Sequence, residues 1–320
     1  MKPPVWTEET FALVREGVRL ANEAYTEELP AEWDQRIEER ATSLGEPHPD
    51  LEPGNLNVVI FHVKIPADAG EIKAPDIRNL DHDKVDYETL IRLNIDIALK
   101  TNPRSRVFLL TDGAFLSDLE PNGRLHISRL SVNAREPMFE RVVTMAAYVR
   151  SKLFDQPTVF LDSDAFLLRP IHNLFANRFD VGLTHRNIIG QMPINEGVIF
   201  ANNLNRRAVQ SVFDPYVASY LTIETNSHLA KLYSNLRRWR GGQLSVNSIG
   251  QGGQVYASGM NQSSQPRLVS LPCSAYNLSQ ISEQEVTPAL CRRTAVLHLK
   301  GPRKSWLKAL KCNTVGGAFM

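Results

Sequence analysis

The sequence predicts an α/β protein in which a mostly parallel, twisted sheet is flanked by helices. Residues 57–63 and 106–110 are short apolar runs typical of buried strands, and residues 87–100 between them have the apolar spacing of a helix. A strand, a helix and a second strand in this order are typical of a βαβ unit with parallel strands. The alternation continues further along the chain.

A second helix leads into a third strand that ends in acidic residues. Pro137 suits the first turn of a helix, and apolar residues at three- and four-residue steps extend that helix to Leu153. The apolar strand at residues 158–161 follows. Open α/β sheets bind ligands outside the carboxyl ends of their parallel strands. We therefore expect Asp112, after the second strand, and Asp162, after the third, to border one crevice.

The C-terminal half has a weaker pattern. Residues 179–184 and 197–201 are predicted as short strands, residues 206–240 as largely helical, and residues 294–297 as a further apolar strand. No internal repeat or low-complexity tract interrupts this region. It is predicted to continue the same domain.

The N-terminal region has a different composition. Residues 7–45 are rich in Glu, Arg, Ala and Leu at helical spacing, and Gly and Pro residues at positions 45–54 mark a boundary. We therefore expect a helical N-terminal extension over residues 1–50 and the main domain over residues 51–320. The extension is expected to cover the sheet, and homo-oligomerisation through its helices is the alternative.

Composition argues against several classes of protein. The 320 residues, 42% hydrophobic and 22% charged, are enough to bury a full core. The formal net charge of +1 provides no broad basic surface for nucleic acid. The chain shows no apolar run long enough for a signal peptide or a membrane span, and its three cysteines lack metal or disulfide spacing. We expect a cytoplasmic protein with free thiols.

The tripeptide Asp162-Ser163-Asp164 is the most informative motif. In extended geometry residues i and i+2 point to the same face, so both carboxylates can approach one hard divalent cation. Such a cation would neutralise a diphosphate, which a chain of nearly zero net charge does not otherwise attract. Taken alone, an acidic pair of this kind is equally compatible with a solvated turn.

A second cluster of polar residues follows the predicted strand at residues 294–297. His298 is a suitable third ligand for a manganese-like ion. Gly301 would let backbone N–H groups approach phosphate oxygens, and Lys304 would meet a leaving diphosphate. These basic residues could also form a solvated loop, but their adjacency to His298 favours the phosphate interpretation.

These motifs together resemble those of the glycosyltransferases of family eight, the glycogenin-like and bacterial galactosyltransferase-like group. The resemblance covers roughly residues 55–308. It includes an Asn-x-Gly-Val segment at 195–198, a Gln-containing segment at 242–247 and a terminal His-x-x-Gly-x-x-Lys-x-Trp at 298–306. It implies a GT-A fold with a Rossmann-like sheet, a nucleotide diphosphate sugar donor that is usually UDP-linked, Mn²⁺ or alternatively Mg²⁺, and retention of the anomeric configuration.

The resemblance also implies a role for each matching residue. Asn195 would touch the donor sugar, although a turn Asn before a core strand explains it equally well. Gln243 would lie near the β-face of the anomeric carbon, and Glu196 is the one carboxylate near that site that could act as a nucleophile. The metal ligands would be Asp162, Asp164 and His298, and the donor contacts would be Asp162, Ser163, Asp164, Gly301, Lys304 and Arg141.

The chain departs from the family pattern at three places. Gly242 stands where an aspartate is usual, which removes a sugar-hydroxyl acceptor and leaves the transferred sugar open. Met145 lies near the usual place of a basic residue that reaches the donor, so Arg141 or Arg150 would have to substitute. Ser305 replaces a proline. Residues 271–277 resemble a Leu-Pro-x-x-x-Asn region, which a structural turn also explains.

The sequence therefore favours a metal-dependent, retaining transfer of a hexose to a hydroxyl on a carbohydrate, a protein or a lipid-linked acceptor. One rival is a phosphohydrolase or phosphotransferase with Asp162 as nucleophile and Asp164 as acid/base. The other is a catalytically decayed protein that binds sugar nucleotides, for which Gly242 and Met145 are the supporting residues. His62 is predicted as a hydrogen-bonded strand residue that borders the nucleotide.

Overall fold

The computed structural model describes residues 29–65, 86–113, 115–185, 194–222, 255–256, 266–279, 282–300, 304 and 306. Most of its strands form one large sheet. These strands are β1 (Leu56–His62), β2 (Ser105–Asp112), β3 (Leu125–Leu130), β4 (Thr158–Leu161), β6 (Val181–His185), β7 (Ile194–Ala201), β8 (Val255–Tyr256) and β9 (Leu268–Pro272). A separate two-stranded sheet consists of β5 (Ala165–Leu167) and β10 (Val296–His298).

Helices flank the sheet. They are α1 (Ala31–Ser43), α2 (Tyr87–Thr101), α3 (Pro137–Arg150), α4 (Arg206–Thr222), α5 (Cys273–Tyr276) and α6 (Pro288–Arg293), with 3₁₀ turns at His172–Asn177, Asn203–Asn205 and Glu283–Glu285. Pro137 lies in the first turn of α3, as predicted, where its missing N–H costs no hydrogen bond. The side chain of Asp86 caps α2 by accepting from the N–H of Thr89.

The strand order of the large sheet is β3-β2-β1-β4-β7-β6-β9-β8. Strands β1, β2, β3, β4, β6 and β9 run in one direction, and β7 and β8 run in the other. The predicted βαβ unit is confirmed as β1-α2-β2 with a parallel pair. The prediction of a mostly parallel α/β fold is therefore confirmed, while β3, β5, β8 and β9 were not predicted.

Both faces of the sheet are buried, as the side chains of β1 illustrate. Leu56, Val58 and Ile60 belong to the apolar cluster that contains α2, whereas Val59 and Phe61 belong to the cluster that contains α1, α3 and α4. Successive side chains of a strand point to opposite faces, so a continuous apolar run indicates a strand covered on both sides.

The small sheet joins two segments that are distant in the chain. Strand β5 begins directly after Asp164, β10 ends at His298, and their antiparallel register pairs His298 with Ala165. The N–H of Leu299 donates to the carbonyl of Asp164 at 2.9 Å, which extends the ladder by one bond. This pairing brings the acidic motif to the histidine.

Helix α1 packs against α3. Ile37 and Ala41 are buried in the same apolar cluster as α3. The guanidinium of Arg150, at the end of α3, makes ion pairs with Asp34 and Glu38 of α1 at 2.7 and 2.8 Å, and with Asp214 of α4. These contacts account for Arg150, which the sequence offered as an alternative donor contact.

Two further observations on the described residues concern membrane spanning and the cysteines. No helix among them is long and apolar enough to cross a membrane. Cys273 and Cys291 are free thiols, as predicted, and Cys312 lies outside the described part of the chain.

The packing of α1 can be tested by truncating Ile37, which is fully buried. The substitution Ile37→Ala should lower the free energy of unfolding by about 2 to 5 kcal/mol, because it leaves a cavity in the core. Glu39→Ala, on the exposed side of the same helix, should change it by less than about 0.5 kcal/mol. Urea unfolding measures both. Equal midpoints for the two variants would mean that residues 29–50 do not share the core of the domain.

Candidate metal and donor site

The three predicted metal ligands lie together at the carboxyl end of β4. The Nε2 of His298 is 2.9 Å from Oδ1 of Asp164 and 3.5 Å from Oδ2 of Asp162. One ligand atom from each residue lies within 4.8 Å of the others. Asp164 and His298 are buried, and Asp162 keeps 25% of its side chain exposed. Two carboxylates and an imidazole, open on one side, suit a divalent cation such as Mn²⁺ or Mg²⁺.

Gly197 of β7 makes room for this cluster. A Cβ at this position would overlap Cε1 of His298 and lie 2.6 Å from Oδ2 of Asp162. The carbonyl of Gly197 accepts the N–H of Asp162 at 2.8 Å, so the backbone is fixed at this point. The glycine of the Asn-x-Gly-Val segment is therefore required by close approach, and the residues present fit a metal site.

Arg141 of α3 holds the first aspartate. Its Nε lies 3.0 Å from Oδ1 of Asp162, and its Nη2 donates to the carbonyl of Glu196 at 2.9 Å. The guanidinium is almost fully buried. Because Arg141 occupies Oδ1, the other carboxylate oxygen, Oδ2, is the one that faces His298. A direct donor contact by Arg141 stays a prediction.

Lys304 holds the second aspartate. Its Nζ lies 3.2 Å from Oδ2 of Asp164 and donates to the hydroxyl of Tyr87 at 3.1 Å. Burial opposes ionisation of Asp164, but His298 and Lys304 outweigh it and hold the pKa of this carboxyl below its usual value. Burial also opposes the charge of Lys304, yet Asp164 and Tyr87 raise its pKa. Both groups are therefore ionised near neutral pH.

Asn277 is a site residue whose role sequence reasoning missed. It is fully buried, and its Oδ1 lies 2.8 Å from Nδ1 of His298. Its Nδ2 donates to Oγ1 of Thr184 at 2.8 Å and to the carbonyl of Asn195 at 3.2 Å. Burial lowers the pKa of His298, although Asp164 opposes that effect. The sequence signal was present in the Leu-Pro-x-x-x-Asn segment, which a turn also explained.

Asn94 of α2 is a second missed residue. Its Nδ2 donates to the carbonyls of Ser163 and Ala165 at 3.1 and 3.0 Å, which fixes the turn that carries the acidic motif. An asparagine among the mainly apolar residues of the buried face of this helix was the available signal, because a buried amide needs a partner.

The predicted sugar contacts are only partly described. Oδ1 of Asn195 accepts from Nζ of Lys300 at 2.9 Å, and Nδ2 of Asn195 is buried with no hydrogen-bond partner among the described residues. The carboxylate of Glu196 accepts from the hydroxyl of Tyr216 in α4 at 2.7 Å. Gln243 and Gly301, and with them the Gly242 departure, lie outside the described part of the chain.

His62, at the end of β1, packs between two aromatic rings. The centroids of Tyr87 and Phe115 lie 4.9 and 4.4 Å from its ring. Burial is the largest influence and lowers its pKa to about 4, although Asp112 opposes the shift. The carboxylate of Asp112 lies at the same edge of the sheet, where it accepts the N–H groups of Lys64 and Phe115. His62 therefore serves as a packed aromatic ring.

No family model and no curated protein matches the sequence. Solved structures of glycosyltransferases are similar in fold. One, described as involved in glycosylation of the major capsid of PBCV-1, has a TM-score of 0.43 and 11% identity, covering 79% of this chain and 98% of that one.

Two others are GlyE of Streptococcus pneumoniae TIGR4 and the galactosyltransferase LgtC solved with donor and acceptor sugar analogs. GlyE has a TM-score of 0.41 and 12% identity over 83% of this chain and 61% of its own. LgtC has a TM-score of 0.40 and 11% identity over 79% of this chain and 95% of its own. Because these TM-scores are below 0.5, the reaction of this chain has to be argued from its own residues.

The close approach at Gly197 gives a direct test of the site. Gly197→Ala should displace His298 or Asp162, lower stability by about 1 to 3 kcal/mol, and weaken Mn²⁺ binding. Gly113→Ala is the matched control, because among the described residues a Cβ there meets nothing within 4 Å. Thermal unfolding and Mn²⁺ titration of both variants make the comparison. Unchanged Mn²⁺ affinity in Gly197→Ala would contradict the assigned cluster.

The environment of His62 predicts a pH dependence of stability. Its pKa is about 4 in the folded protein and about 6.5 when unfolded, so the unfolded state binds the extra proton between these values. The contribution of His62 to the free energy of unfolding is fully present above pH 6.5 and is lost as the pH falls toward 4. The full difference is about 3 kcal/mol, an upper bound because His62 is partly exposed.

The variant His62→Phe keeps an aromatic ring between Tyr87 and Phe115 and removes the titration. Its free energy of unfolding should fall less than that of the wild type between pH 6.5 and 4. His172→Phe, at an exposed position, controls for the substitution itself. Urea unfolding at several pH values gives the comparison. Parallel curves for the wild type and His62→Phe would show that His62 is not held neutral by burial.

Proposed function

We propose that this chain is a metal-dependent GT-A glycosyltransferase of the family-eight kind, which transfers a hexose from a nucleotide diphosphate sugar to a hydroxyl acceptor with retention. The observation that carries the proposal is the partly buried cluster of Asp162, Asp164 and His298 at the carboxyl edge of the sheet, with the ammonium of Lys304 beside it. Open α/β sheets bind nucleotides at this edge.

Asp162, Asp164 and His298 would hold the Mn²⁺ or Mg²⁺. Such a cation, when bound, neutralises the diphosphate and stabilises the charge that develops on the departing nucleotide. Arg141 fixes one oxygen of Asp162 and so keeps the other directed at the cluster. Asn94 fixes the backbone at Ser163, between the two aspartates, and at Ala165, directly after them. The ligands are thus positioned before any donor binds.

Lys304 acts as an electrostatic clamp. Its Nζ is charged, buried and shared between Asp164 and the hydroxyl of Tyr87. A preorganised cation in a site that excludes water stabilises developing negative charge more strongly than the same cation does in water. Lys304 would therefore stabilise the leaving diphosphate, and Ser163 and Gly301 complete the proposed phosphate contacts.

The sugar would lie toward the start of β7. Asn195 has a buried amide nitrogen without a partner among the described residues, a donor that suits a sugar oxygen. Gln243 is proposed to lie beside the anomeric carbon as an oxocarbenium-like sugar forms, with Glu196 as the candidate nucleophile. UDP is the proposed nucleotide.

The acceptor is proposed to be a hydroxyl on a carbohydrate, a protein or a lipid-linked molecule, and the reaction is proposed to take place in the cytoplasm. Acceptor contacts usually come from variable loops, so the fold specifies no single acceptor. A homo-oligomer through the predicted helical extension over residues 1–50 stays part of the proposal.

The first test is thermal unfolding with UDP, GDP, Mn²⁺ and Mg²⁺, singly and combined. A ligand at about one hundred times its dissociation constant stabilises by roughly 2.7 kcal/mol, which raises the midpoint by a few degrees. UDP with Mn²⁺ should give the largest shift. Asp164→Asn should abolish that shift, because it removes a charged ligand. Asp118→Asn, in an exposed pair with Arg92, should keep it.

Turnover distinguishes the proposal from its rivals. Incubation with UDP-hexoses and simple sugar acceptors should release UDP, and NMR of the product should show the donor's anomeric configuration. Metal-dependent release of inorganic phosphate from a phosphomonoester would instead support a phosphohydrolase with Asp162 as nucleophile. UDP binding without turnover of any donor would support the decayed protein, and no nucleotide binding at all would refute the glycosyltransferase.

A further inference from the structure

Asn277 lies at the centre of a buried set of hydrogen bonds that joins three parts of the candidate site. It follows the short helix α5, which continues from β9. Its amide contacts the ring of His298 in β10, the hydroxyl of Thr184 in β6 and the backbone carbonyl of Asn195 in β7. Asn277 and Thr184 are completely buried, and His298 and Asn195 are nearly so.

The partners of the amide determine its orientation. The carbonyl of Asn195 can only accept a hydrogen bond, so the group that faces it at 3.2 Å is the NH₂ of Asn277. The same NH₂ donates to Oγ1 of Thr184, whose own hydroxyl donates to the carbonyl of Asn195 at 2.8 Å. The oxygen of the amide is therefore the atom directed at His298.

This orientation places a proton on the ring of His298. Oδ1 of Asn277 cannot donate, so Nδ1 of His298, 2.8 Å away, has to carry the hydrogen. Nε2 then faces Asp164 and Asp162 at 2.9 and 3.5 Å. A divalent cation between these carboxylates needs the lone pair of Nε2, which is the atom that this tautomer leaves available.

We propose that Asn277 is a positioning residue, which holds the proton of His298 on Nδ1 so that Nε2 is directed at the cation site. The inference rests on the proposed metal-dependent function and deepens it. The same amide holds the backbone of Asn195, the proposed sugar contact. One buried side chain thus sets the relative placement of a metal ligand and a sugar-binding residue.

The proton itself can be observed by NMR. Proton–nitrogen correlation spectra of protein with ¹⁵N-labelled histidine should show a protected Nδ1–H for His298, both without metal and with Mg²⁺, which is diamagnetic. Comparison with His298→Gln identifies the signal among the 8 histidines. The signal should disappear or exchange rapidly in Asn277→Ala. An unprotonated Nδ1 in the wild-type protein would overturn the inference.

Metal affinity provides the second measurement. Mn²⁺ is titrated into each variant with and without UDP. Asn277→Ala should lower Mn²⁺ affinity about 10- to 100-fold, the usual effect of losing the partner of a metal-binding histidine. Asn277→Asp keeps an oxygen acceptor for Nδ1–H, so it should bind Mn²⁺ nearly as well as the wild type, although it loses the amide donors and unfolds at a lower temperature.

Thr184→Val separates positioning from general stability. It removes two hydrogen bonds from the same buried set but leaves the contact between Asn277 and His298 in place. It should unfold at a lower temperature than the wild type and retain Mn²⁺ affinity. Equal loss of Mn²⁺ affinity in Thr184→Val, Asn277→Asp and Asn277→Ala would show a merely structural role and overturn the proposal.

The result stays decisive if one variant fails to fold. Should Asn277→Ala be insoluble, the wild-type spectra and Asn277→Asp still decide the matter. Should the wild type bind no Mn²⁺ under any condition, the proposed function fails, whereas the position of the His298 proton still tests the inference about Asn277.

Discussion

The contact between His298 and Asp164 is the interaction on which the rest of the site depends. Both side chains are almost completely buried, and an isolated buried carboxylate is costly. The imidazole and the ammonium of Lys304 offset that cost and keep the carboxyl ionised. The pairing of β5 with β10 brings the two side chains together, because His298 lies opposite Ala165, the residue after Asp164. Gly197 supplies the space beneath it, since any side chain there would overlap the ring.

The charges around the cluster follow a simple pattern. Each carboxylate has one oxygen beside a permanent cation, Arg141 for Asp162 and Lys304 for Asp164, and its other oxygen faces Nε2 of His298. Each negative charge is thus already paired. A bound divalent cation would therefore give the pocket an excess of positive charge. Lys300 adds a further positive charge, which also lowers the pKa of Asp164. That excess suits a diphosphate, so the metal and the donor are expected to favour each other's binding.

The sequence predicted the parts of the fold that have a clear apolar pattern. Strands β1, β2 and β4 were predicted at nearly their observed positions because each is a continuous apolar run, and helices α2 and α3 because their apolar residues repeat over several turns. Strand β5 has three residues, too few to show a period, and its partner comes from the far end of the chain. The candidate metal ligands were predicted from motifs, whereas the partner of Arg141 and the proposed role of Asn277 depend on contacts between distant segments.

Strand direction explains why the site residues come from such distant segments. The carboxyl ends of β4, β6 and β9 meet at one edge because these strands run the same way. That edge receives the acidic motif, Thr184 and the segment leading to Asn277. Strand β7 lies between β4 and β6 but runs in the opposite direction, so its beginning, with Asn195 and Gly197, reaches the same edge. This reversed strand thus brings a candidate sugar contact and the required glycine beside the candidate metal ligands, whereas an all-parallel order would have placed both residues at the opposite end of the sheet.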